Sequence, residues 1–139
     1  SSSAIVPAPW SPTGYTALFV EEAPAVLFND KIKVRVTGKK TIYPIDTRFV
    51  AVCEPNSIDV IGACPNRPAM VGAEVKGGEI HFLINTCGGR LPEVINAKIS
   101  GVRKGFKGWR FPDRTKEEFD TNEAFIKLAH PQPRKTRTK

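Results

Sequence analysis

A chain of 139 residues, 40% hydrophobic and 25% charged, is one domain's worth of sequence. It can bury about two thirds of the surface its unfolded form exposes, and its composition excludes wholesale disorder. Twenty-one lysines and arginines against 14 acids give a formal charge of +7, which favours acidic partners and leaves the fold open. No apolar run approaches the roughly 18 residues of a membrane helix, so no membrane span is expected.

Residues 1–15 carry Pro7, Pro9, Pro12 and Gly14 among small hydroxyl side chains. Such a stretch resists helix and suits an extended arm, with the rings of Trp10 and Tyr15 to dock it. It has neither the cationic start nor the apolar core of a secretion signal. "TALFV" (16–20) and "AVLFN" (25–29) then read as buried strands joined by a turn through Glu21, Glu22 and Pro24.

"KIKVRV" (31–36) alternates without a break, Ile32, Val34 and Val36 on one face and Lys31, Lys33 and Arg35 on the other, the pattern of a half-buried strand. Past a turn, "TIYPI" contains Pro44, which cannot donate to a ladder and predicts an edge or irregular strand. "RFVAVCE" (48–54) and "SIDVIGA" (57–63) follow as strands around a Pro55–Asn56 turn.

In "PAMVGAEVKGGEIHFLINTC" (68–87), two alternating runs flank Gly77–Gly78, the pair favoured by two-residue hairpin turns. Counting outward sets Lys76 opposite Glu79, Val75 opposite Ile80, Glu74 opposite His81, Ala73 opposite Phe82 and Val71 opposite Ile84. "EVINAKISGV" (93–102) adds a strand with Ile95, Ala97 and Ile99 inward.

Thr115 and Glu118 form a capping box, apolar residues from Phe119 to Ala129 recur at helical spacing, and Pro131 ends the helix. The expectation is an all-β domain over residues 16–130. It is a β-sandwich or small barrel of seven to eight short strands, with one C-terminal helix near 116–130 laid on an edge or open end. Extended terminal arms flank it, the second being the basic tail 131–139.

Little in the chain suggests catalysis. Cys53, Cys64 and Cys87 lack the close pairing of a zinc site, so no metal or cofactor is expected. A Cys53–Cys64 disulfide would leave Cys87 unpaired, and three reduced thiols are the alternative. Extended strand between His81 and Cys87 puts them about 20 Å apart, too far for a dyad. Glu74 beside His81 reads as a cross-strand surface pair. No phosphate loop, dinucleotide fingerprint, nucleophile elbow or zinc-protease motif is present, and the chain is read as a non-enzyme.

The stretch "SGVRKGFKGWRF" (100–111) interleaves Arg103, Lys104, Lys107 and Arg110 with Phe106, Trp109 and Phe111, the ingredients for gripping phosphates and stacking bases. Lys31, Lys33, Arg35, Lys39 and Lys40 form a second set. Against this, Phe106, Trp109 and Phe111 lie between a strand and a helix, where at least two are expected in the core.

Free extended ends are worth ordering where a neighbour receives them. The leading expectation is therefore a structural subunit of a multi-chain complex, homo-oligomeric or mixed, with a virion capsid, decoration or tail component as the example. Trp10, Tyr15, Tyr43, Arg134, Lys135 and Arg137 would meet partners. A nucleic-acid-binding module and a secreted disulfide-bearing binding domain are the alternatives. The leading reading places the chain in a virion or the cytoplasm rather than outside the cell.

Overall fold

The computed structural model describes residues 3–129. Its centre is a β-sandwich of two antiparallel three-stranded sheets. One has the order β3–β8–β5, from Leu27–Arg35, Val94–Val102 and Asp59–Pro65. The other has the order β4–β7–β6, from Lys40–Pro44, Glu79–Asn85 and Met70–Lys76.

Alternation builds the core. Ile32 and Val34 of β3 and Ile95, Ala97 and Ile99 of β8 face Ile80, Phe82 and Ile84 of β7 across the sandwich. Each fully buried aliphatic or aromatic side chain of this set contributes roughly 1.5–3 kcal/mol. The β6–β7 register is the one counted from the turn, Val71 opposite Ile84 through Lys76 opposite Glu79. Gly77 and Gly78 turn with φ of 54° and 80°, the left-handed pair that a type I′ hairpin needs. Pro44 ends β4, an edge strand of its sheet.

Three expectations are corrected. Residues 16–20 do not pair with 25–29. Instead Tyr15–Phe19 forms β2, which pairs antiparallel with β1 (Ser3–Pro7), so the arm is a two-stranded hairpin set apart from the sandwich sheets. Residues 25–29 largely merge with 31–35 into the single strand β3.

Residues 48–54 are not a strand either: Thr47–Val52 is a short helix, α1. Its V-A-V run favours strand, but the Asp46 carboxylate accepts the Arg48 backbone N–H at 2.8 Å and caps the first turn. Phe49 then packs against the core while Val50 and Val52 stay exposed.

The third correction concerns the C-terminal helix α2 (Lys116–Ala129). The capping box forms, with the Glu118 N–H donating to Thr115 Oγ1 at 3.1 Å and the Thr115 N–H to Glu118 Oε1 at 3.2 Å. The expected packing on the sandwich does not: Phe119, Phe125 and Leu128 are all exposed, Leu128 to 83%.

Candidate interaction surfaces

The arm hairpin closes through a loop in which the Ala8 N–H donates to Gly14 O at 2.7 Å. Trp10 lies in that loop, 77% exposed, and Tyr15 opens β2, also exposed. Ile5 and Leu18 add exposed apolar side chains. Each face of the hairpin thus holds apolar side chains open to water.

The stretch after β8 is a compact cap. Phe106 and Trp109 meet edge to face, with ring centroids 5.3 Å apart. The Arg103 guanidinium lies over Phe106 at 5.1 Å and over Phe28 at 5.8 Å, and Lys104 Nζ donates to Ala51 O at 3.4 Å. Lys107 and Arg110 are exposed. The expectation that two of the three rings are core is overturned: Phe106 is half-buried, Trp109 is 49% exposed and Phe111 73%. Glycines at 105 and 108 with positive φ fold the stretch back on itself, so Phe106 packs on Trp109 and Arg103, while Phe111 lies apart under the Arg110 guanidinium at 5.6 Å.

The cap also ties the two arms together at their roots. Ala25 and Arg110 form a bridge, and the Phe111 N–H donates to Pro24 O at 3.0 Å. The hairpin therefore enters the sandwich where the segment leading to α2 leaves it.

The chain matches no family model, no curated protein and no solved structure.

The remaining expected residues fall on different surfaces. Lys31, Lys33 and Arg35 point outward from the β3–β8–β5 sheet, whereas Lys39 and Lys40 lie at the start of β4 in the other sheet. Tyr43 shares the inward row of β4 with Thr41 and packs half-buried against the core. On that strand Ile42 is the exposed apolar residue, beside Leu83 and Met70 on the same outer face. Ile42 and Leu83 were legible as the polar-side positions of their runs. Arg134, Lys135 and Arg137 lie outside the described residues.

Among the described residues no three or more His, Cys, Asp or Glu side chains converge as a metal site, and no helix is long and apolar enough to cross a membrane. Glu74 and His81 face each other as expected, but the carboxylate of Glu74 pairs with Lys76 Nζ at 3.5 Å. Cys53 bridges to Arg103, just past the end of β8, and Cys64 lies opposite Asn96 on β8. Seven residues of strand separate those partners by about 23 Å, too far for a Cys53–Cys64 bridge.

Proposed function

We propose that this chain is a non-enzymatic structural subunit that enters a multi-chain assembly through its N-terminal hairpin and its C-terminal helix, virion shells and tails being the leading example of such construction. One observation carries the reading: both terminal elements are regular secondary structure whose apolar side chains face water. An isolated two-stranded hairpin is marginal in water. So is a helix of this length, here 14 residues. Each gains stability by laying its apolar face on a neighbour, and a subunit repeated in an assembly supplies one.

The test is the native mass of the protein recovered from its own source, beside that of Phe119→Asp/Phe125→Asp and of a chain lacking residues 1–19. A defined multimer or mixed complex that both changes reduce to a folded monomer is expected. A monomer in the unaltered protein, or a multimer indifferent to both changes, overturns the reading.

A further inference from the structure

We propose that the outer face of the β3–β8–β5 sheet binds the phosphodiester backbone of a nucleic acid. On β3 the outward row is Leu27, Asn29, Lys31, Lys33 and Arg35; β8 adds Asn96 and Lys98, and β5 adds Gly62 and Cys64. Lys98 was not legible in the sequence as part of a cluster, because the β3–β8 pairing that brings it here joins distant segments.

The register sets Lys31 directly opposite Lys98. Like charges in that position destabilise a sheet, and none of Lys31, Lys33, Arg35 and Lys98 forms an ion pair among the described residues. Elsewhere cations do: Arg67 pairs with Glu93 at 2.8 Å and Lys116 with Asp120 at 3.0 Å. A multiply charged anion laid along the row would relieve this repulsion.

Spacing identifies the kind of anion. Alternate residues on a strand stand about 6.8 Å apart, so Lys31, Lys33 and Arg35 span roughly 14 Å. A single carboxylate or phosphate cannot span that row, whereas a chain of repeating negative charges can. Gly62 leaves its place on the face empty, with nothing within 4 Å of where a Cβ would stand. A shallow groove of about 690 Å³ results, bordered by Asn29, Lys31, Cys64, Asn96 and Lys98. The asparagine amides offer hydrogen bonds beside the charges.

Acids set the limits of the face. Asp30 borders the groove from the inward row of β3, while Glu21 and Glu22 occupy the neighbouring hollow with Ile61, Lys98 and Ser100. The strand of phosphates therefore runs from Lys98 toward Arg35, away from Glu21 and Glu22; at the far end Glu93 shares a hollow with Lys33 and Arg35 but is itself paired with Arg67 at 2.8 Å. An anionic membrane fits less well, because surface binding of that kind adds apolar insertion to charge. The exposed apolar side chain on β5, Ile61, sits beside those two carboxylates.

The test is titration of a fluorescent oligonucleotide, single-stranded and duplex, with the full chain over a salt series. Four cation contacts predict a log affinity that falls against log salt with a slope of about −3 on single strands. Lys31→Gln/Lys33→Gln/Arg35→Gln/Lys98→Gln is expected to weaken binding at least ~10-fold at low salt. Lys76→Gln/Arg90→Gln/Lys116→Gln/Lys127→Gln, which removes the same charge elsewhere, should leave it within about twofold.

The sheet-face variant should unfold at an unchanged or higher temperature, since it loses the Lys31–Lys98 repulsion. Four results overturn the proposal: no binding at low salt, equal losses in the two variants, loss on Lys107→Gln/Arg110→Gln instead, or binding to phosphatidylserine vesicles but not to oligonucleotides. The outcome is independent of the native mass.

Discussion

A Cβ added at Gly101 would stand 2.6 Å from Cys53 Sγ and 3.1 Å from Ile58 Cγ1. Both neighbours are buried, so neither can swing into solvent. Gly101→Ala is expected to destabilise the fold by about 1–3 kcal/mol, read from denaturant unfolding. Burial also pushes the Cys53 thiol up in pKa, and the thiolate is the reactive form. Alkylation of the native, unreduced protein should therefore modify Cys64 and Cys87, both exposed and free, well before Cys53; labelling that stops short of either exposed thiol would show it engaged. At Asp46 the Arg48 side chain, through its hydrogen bonds, holds the carboxyl at about 2, below its ordinary 3.8. The capped, paired form is thus fully favoured above the ordinary value and is lost as pH falls through about 2. Arg48→Ala should return the carboxyl toward its ordinary value in an NMR titration.

At the scale of elements, local chemistry was legible wherever one signal dominated. Gly77–Gly78 fixed the β6–β7 register, and Thr115 with Glu118 fixed the start of α2. The misread elements are those where two signals compete. The branched side chains of Val50 and Val52 suggest strand, but the Asp46 cap and the need to bury Phe49 alone make helix. Prolines 7, 9 and 12 suggest a bare arm, yet β1 closes its ladder before the last two of them and uses them in the loop. Stability should divide along the same lines. Hydrogen exchange of a monomeric form is expected to be fast in β1, β2 and α2 and slowest in β7 and β8 at the core, because exposed elements open at little cost. Protection gained by β1, β2 and α2 in the assembled state would mark them as the docking elements; unchanged exchange there would count against it.

For the whole molecule, the sandwich class followed from composition and alternation, since several short half-buried strands have few ways to cover one another. Which strands become neighbours did not. β8 lies between β3 and β5, and sequence alone cannot place a central strand taken from the far end of the domain. That gap hid Lys98 from the cationic row; the expectation that at least two of Phe106, Trp109 and Phe111 are core failed for another reason, their place between a strand and a helix that does not pack on the sandwich. The exposure of the helix was equally hidden, because an amphipathic pattern shows that a face needs covering and not what covers it.

The bridge of Ala25 to Arg110 and the bond from Phe111 to Pro24 have a consequence for affinity. Hairpin and helix are rooted at one place, so a neighbour that captures one holds the other at high effective concentration beside it. In the assembly proposed above, two contacts too weak to persist singly would then act as one bivalent grip. Loosening the root would let the two elements range further apart and so lower, without abolishing, that effective concentration.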